Sequence, residues 1–175
     1  DAAFGGMVVP FLDRPIPFDF RLPGVDSISV DPHKMGMSTI PAGCLLVRNP
    51  ECFSCLNVDT PYLTVKRECT LAGTRPGASV AAAFAVLEYL GMDGMRAVVA
   101  GCMENTRRLI EGMETLGYER AVTPDVNVAT FSCGRAPEGW RVSTTRAGHI
   151  RIVCMPHVTR DVIEAFLGDM SDMHA

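Results

Sequence analysis

From Met95 to Leu116 the apolar residues Met95, Val98, Val99, Cys102, Met103, Leu109, Ile110, Met113 and Leu116 recur at i, i+3, i+4 and i+7. That is the rhythm of an amphipathic helix burying one face. Asp93 stands where an N-cap belongs and Gly117 where a helix stops, so a long helix is required and its flanks must supply the surface it packs on. On both sides the apolar runs are short. Residues 25–30 alternate Val25, Ile28 and Val30 with Asp26, Ser27 and Ser29 before Asp31-Pro32, and residues 42–47 lie between Ile40-Pro41 and Asn49-Pro50. Both predict strands. Residues 126–132 and 150–155 predict strands again, residues 141–145 a third, and Thr159 caps a last helix carrying Val162, Ile163, Phe166 and Leu167. Strands mixed with helices in this way define an α/β chain.

The remaining segments are set by proline and glycine. Prolines at 10, 15, 17 and 23 with Gly5-Gly6 predict an irregular connection over residues 1–23. Residues 51–75 are long, polar and weakly patterned, as binding loops are. Pro76-Gly77 opens a helix that Gly91 ends. Its mixture of alanines with Val80, Phe84, Leu87 and Leu90 predicts packing on both faces.

Charge and cysteine usage narrow the function. A net charge of -4 with no run of Lys or Arg argues against nucleic acid as a partner. The longest apolar stretch, residues 78–90, is shorter than the roughly 20 residues that cross a bilayer, so no membrane is expected. With 47% hydrophobic and 21% charged residues the chain can form a packed core. The seven cysteines (Cys44, Cys52, Cys55, Cys69, Cys102, Cys133, Cys154) are odd in number and share no repeated spacing, which predicts reduced thiols in the cytoplasm. Cys52-x-x-Cys55 has no second pair or nearby His to complete four ligands, so no metal is expected. No targeting segment is visible, and Asp rather than Met at position 1 suggests processing or truncation.

Two short stretches carry chemistry. In Asp1-Ala2-Ala3-Phe4-Gly5-Gly6 a carboxylate is followed by small residues that let a flat ligand approach the backbone. Taken alone, Asp1 better suits a turn cap. In Ser27-Ile28-Ser29-Val30-Asp31-Pro32-His33-Lys34 a strand ends by presenting an imidazole beside an amine, and lysine amines form Schiff bases with carbonyl compounds. A bare His-Lys pair is otherwise a solvated loop, but Pro32 before it and Met35-Gly36 after it make this setting small and apolar.

Asp-x-Ala followed about thirty residues later by a strand and His-Lys resembles the signature of the group II pyridoxal phosphate-dependent decarboxylases. The resemblance implies the aspartate aminotransferase fold (fold type I), with pyridoxal 5'-phosphate held by Lys34 in Schiff-base linkage. It implies that Asp1 pairs with the pyridine nitrogen, that Ala3 packs on the ring and that His33 helps hold the phosphate. A carboxylate at the ring nitrogen keeps it protonated, which makes the ring an electron sink for the carbanion left when carbon dioxide departs.

Two further stretches, residues 70–79 (Thr70 to Ser79) and 149–159 (His149 to Thr159), resemble the archaeal L-tyrosine/L-aspartate decarboxylases and, more distantly, sphingosine phosphate lyase. The resemblance spans essentially all 175 residues. Gly73 and Thr74 stand just before a helix N-terminus, where backbone N–H groups and the dipole favour a phosphate such as that of a neighbouring subunit's cofactor. A plain helix cap is the alternative for Thr74. Arg151 interrupts an apolar strand, a costly place for a guanidinium unless an anion meets it. The resemblance gives it the substrate α-carboxylate, and a structural ion pair is the alternative. His157 suits a loop or capping position. Tyr62, in Asp59-Thr60-Pro61-Tyr62-Leu63, falls under the resemblance in the loop that closes over the site in group II enzymes, where its phenol could return a proton to Cα. An aromatic loop anchor is the other reading.

Relatives of this kind are roughly twice as long, so the resemblance makes this chain their C-terminal half. Residues 1–92 would complete the large cofactor-binding domain with a mostly parallel sheet, and residues 93–175 would form the connecting helix and the small α/β domain. The main phosphate loop and the stacking aromatic would lie in the missing N-terminal half. The implied partners are that half, a second subunit in a homodimer, and a small amino-acid substrate. The implied reaction is decarboxylation of L-tyrosine to tyramine, for methanofuran, or of L-aspartate to β-alanine, for coenzyme A. A carbon–carbon lyase or cysteine desulfurase of the same fold, or a noncatalytic dimerisation module, are the alternatives.

Overall fold

Backbone breakers decide the first part of the chain. In the computed structural model, which describes residues 1–70 and 72–173, Gly5–Met7 and Val9–Phe11 form only single 3-10 turns. Ala2 N–H donates to the Ser29 carbonyl at 2.9 Å, tying the start of the chain to strand β1 (Ser27–Val30). A Cβ at Gly6 would lie 2.9 Å from Val30 Cγ2, so only glycine permits this approach. The irregular stretch before β1 is held by Arg48, whose guanidinium donates to the carbonyls of Phe20, Leu22 and Val25 at 2.8–3.0 Å.

β1 pairs with β2 (Cys44–Val47), Ser27 opposite Val47 and Val30 opposite Cys44. A two-residue ladder joins β3 (Val58–Asp59) to β4 (Arg67–Glu68). The expected mostly parallel sheet is not found, because every pairing among the described residues is antiparallel. The reason lies in the connections: paired strands here are joined by loops and turns, and parallel pairing needs a crossover.

Helix α1 (Gly77–Thr115) opens after Pro76, with Ser79 Oγ donating to the Pro76 carbonyl at 3.1 Å. It is interrupted at Gly91, whose φ of 57° and ψ of -164° lie outside the helical region. By length and composition α1 would be apolar enough to cross a membrane. It is broken at Gly91 and carries Glu88, Asp93, Arg96 and Glu104. Packing on both faces of residues 78–90 is also not found: Ser79 is buried, but Val80 and Phe84 are 68% and 67% exposed. Nothing among the described residues of this unit covers that side.

The chain divides into two compact units, Asp1–Leu90 and Gly91–Ala175. In the second, α1 buries the expected stripe through Met95, Val99, Cys102, Leu109 and Met113. Strands β5 (Val128–Phe131), β6 (Ser143–Thr144) and β7 (Ile150–Val153) form a sheet in the order β5-β7-β6. Phe131 and Ile150, opposite each other in register, are fully buried. Helix α2 (Arg160–Asp172), capped by Thr159 accepting from Val162 N–H, closes this core with Ile163, Phe166 and Met170. The Phe166 and Trp140 rings also meet in a T-shaped contact with centroids 5.1 Å apart.

Candidate active site

The turn after β1 is tightly built. Lys34 N–H donates to the Asp31 carbonyl at 2.9 Å, Met37 N–H to the Lys34 carbonyl at 3.0 Å, and Ser38 N–H to the Pro32 carbonyl at 3.0 Å. Met35 is fully buried beneath the turn, and Met37 adopts a φ of 52° to leave it. Ser38 Oγ donates to the Ser79 carbonyl at 2.8 Å, fastening the turn to the start of α1.

This frame fixes Lys34. Its Nζ lies 2.6 Å from Asp31 Oδ2 and 4.6 Å from the centre of the Phe4 ring. His33 Nδ1 accepts from Ala42 N–H at 3.2 Å, which leaves Nε2 4.0 Å from the same Asp31 oxygen. Phe4, the fourth residue, meets the lysine because Ala2 is bonded to β1. Asp1 Oδ1 accepts from Ala3 N–H at 2.9 Å, so one carboxylate oxygen does cap its own turn, and Ala3 is half-buried beside it. Neither Asp31 nor Phe4 stood out in the sequence. The signal for Asp31 was its position three residues before Lys34 at the end of a strand.

The chain contains only two lysines. Lys66 is occupied elsewhere: its Nζ donates to the Pro61 carbonyl at 3.1 Å and the Leu63 carbonyl at 2.8 Å, bracketing Tyr62. The β3–β4 tip is further closed by Thr60, which is buried and donates from Oγ1 to the Val65 carbonyl at 2.7 Å. Tyr62 is thereby presented at the tip, 82% exposed.

The other residues singled out lie apart. Gly73 has a φ of 60° and Thr74 is exposed, and both precede the first residue of α1, Gly77, by at least three positions. Leu71, in the same stretch, lies outside the described residues. Arg151 is exposed, whereas its neighbour Ile150 is fully buried. Strand alternation turns Arg151 to the sheet face of Thr130 and Ser143, its partners in register, so the expected burial cost does not arise. It also borders a groove of about 280 Å³ whose wall includes Trp140, Val142, His157 and Phe166. Cys52 and Cys55 are exposed on the 3-10 helix Pro50–Leu56, and the described residues contain no group of three or more His, Cys, Asp or Glu suited to a metal.

An α/β chain that seats one lysine on a carboxylate at a strand end, with an imidazole alongside, is built like a protein that carries a carbonyl cofactor on lysine. The chain belongs to the pyridoxal-dependent decarboxylase family, whose conserved domain matches residues 1–132. It is 89% identical over 175 residues to a probable L-tyrosine/L-aspartate decarboxylase from Methanoculleus marisnigri, covering 100% of this chain and 48% of that protein. It is 52% identical over 178 residues to a probable L-aspartate decarboxylase from Archaeoglobus fulgidus, covering 97% and 48% respectively. Its fold matches sphingosine-1-phosphate lyase from Burkholderia pseudomallei with a TM-score of 0.83 at 25% identity, covering 99% of this chain and 44% of that one. The chain therefore has the α/β fold of type I pyridoxal phosphate enzymes, and it spans about half the length of the curated relatives it matches.

Proposed function

We propose that this chain is the lysine-bearing part of an amino-acid decarboxylase that acts on L-tyrosine or L-aspartate. The seat of Lys34 carries the reading: of two lysines, one is spent on a hairpin tip and the other is held at the end of β1 between a carboxylate and an aromatic ring. The names of the Methanoculleus and Archaeoglobus relatives supply the substrate class. Tyramine for methanofuran or β-alanine for coenzyme A would be the product, made in the cytoplasm.

The residues present suit a pyridoxal group. Lys34 offers the amine, Asp1 a carboxylate for the ring nitrogen, and Ala3 a half-buried small side chain for the ring face. His33, with its ring oriented by Ala42 N–H, would bind the phosphate through Nε2. When bound, the cofactor supplies an electron sink for the carbanion left by carbon dioxide. Arg151 would hold the substrate carboxylate through its fork. The Tyr62 phenol would deliver a proton to Cα, and the Lys66 bonds would keep it in place to do so.

Residues 1–92 would belong to the cofactor-binding domain and residues 93–175 to the small domain. The exposed Val80 and Phe84 support burial against the remaining half of the polypeptide or against a second subunit, whose phosphate Gly73 and Thr74 would meet. A carbon–carbon lyase is the second reading, favoured by the likeness to the Burkholderia lyase.

The test is to mix the chain with pyridoxal phosphate, alone and with the missing half supplied, reduce with borohydride and map the labelled peptide. A label at Lys34 when both halves are present is expected, and its absence from both samples would end the enzymatic reading. Carbon dioxide released from tyrosine or aspartate separates decarboxylase from lyase.

A further inference from the structure

We propose that Asp31 is the positioning residue of Lys34, its carboxylate being the seat to which the lysine's free amine returns whenever it is not covalently engaged. This rests on the reading of Lys34 as the cofactor-bearing lysine, but the ion pair itself does not. Asp31 Oδ2 and Lys34 Nζ are 2.6 Å apart, with side chains only 23% and 29% exposed. Both ends of the pair are fixed by backbone. Asp31 follows the last residue of β1, and the bond from Lys34 N–H to the Asp31 carbonyl sets their three-residue spacing.

The turn resists adjustment. Met35 is packed beneath it, and a Cβ at Gly36 would lie 2.6 Å from the Pro32 carbonyl oxygen. The face of Phe4 adds a cation–π contact to the same amine. His33 completes the group. Because its Nδ1 accepts from a backbone N–H, the proton of the neutral ring sits on Nε2, 4.0 Å from Asp31 Oδ2. At that distance Asp31 attracts the ring electrostatically without a hydrogen bond.

A lysine on a flexible four-carbon stem loses side-chain entropy on being held, and a carboxylate at a set spacing is what holds it. An enzyme lysine that alternately takes up and releases a carbonyl group needs its amine returned to one point. Asp31 provides that point.

The experiment uses the full-length protein obtained by exchanging this chain for the equivalent segment of the Methanoculleus marisnigri relative. Competitive acylation with an N-hydroxysuccinimide acetate, read by peptide mass spectrometry, compares Lys34 with Lys66 as internal standard before cofactor is added. In Asp31→Asn the Lys34 to Lys66 ratio is expected to rise on the order of threefold, the range of a partly exposed ion pair. Asp31→Glu is expected to fall between the two. An unchanged ratio in an Asn variant whose Lys66 reacts normally overturns the proposal.

A carbodiimide, which joins only touching amine and carboxylate groups, is expected to link Asp31 to Lys34 in the unaltered protein with loss of one water. Absence of that link overturns the proposal whatever the variants do. Borohydride trapping of pyridoxal phosphate in the same protein tests the functional reading separately: no adduct at Lys34 removes the reading and leaves the ion pair standing.

Discussion

A methyl group at Gly36 would lie 2.6 Å from the Pro32 carbonyl oxygen and 2.9 Å from its α-carbon, both of them backbone atoms that cannot rotate away. Gly36→Ala should therefore cost about 1–3 kcal/mol, as overpacking does, and loosen the turn that holds Lys34. Urea denaturation reads the first effect and borohydride labelling of Lys34 the second. Elsewhere, burial pushes the Cys102 thiol up to about 11, with a smaller contribution from neighbouring Cys154. A raised thiol contributes stability that is intact below its unfolded value near 9 and is lost as the pH climbs through 11. Cys102→Ala should flatten that alkaline decline in an unfolding series from pH 8 to about 11. Residue by residue, the sequence showed the chemistry of Lys34 and His33 but not their partners. Asp31 meets Lys34 only because a tight turn spaces them, and Phe4 arrives from a segment bonded to β1 from outside.

Among the elements, the break in α1 rests on one residue. Gly91 holds a φ of 57° with a ψ of -164°, a combination open to glycine and costly for any residue with a Cβ. Gly91→Ala should destabilise the protein by about 1–3 kcal/mol in a denaturant titration. At α2, Thr159 accepts from Val162 N–H at a long 3.5 Å on an exposed turn. Thr159→Ala is accordingly expected at the lower end of the cap range, about 0.5–1 kcal/mol. The helices were legible because their periods are local. Strand pairing was not: residues 25–30 and 42–47 read as strands, but their antiparallel partnership depends on how residues 31–43 turn back. Arg151 shows the same limit, since its cost depended on which sheet face it occupied.

At the scale of the whole molecule the two units differ in how much core each owns. Leu109, Met113, Phe131, Ile150, Ile163 and Met170 form one buried cluster within the second unit. Among its described residues the first unit buries little apolar surface beyond Ala2, Val8, Ile28 and Met35, while Leu45, Leu46, Val80 and Phe84 remain exposed. Residues 91–175 expressed alone should unfold cooperatively in urea, and residues 1–90 alone should show no such transition, because a chain of that size with so thin a core cannot offset its ordering entropy. A non-cooperative second unit would contradict this. By itself the sequence determined the helices, the break at Gly91, the Thr159 cap and the lysine at the close of β1, because these follow from periodicity, caps and residue type within a few positions. Only the tertiary structure decided the antiparallel pairing, the seat of Lys34 on Asp31 and Phe4, and the outward turn of Arg151. Each of these depends on which residues distant in the chain, or facing each other across a turn, come within a few ångströms, and no local pattern encodes that.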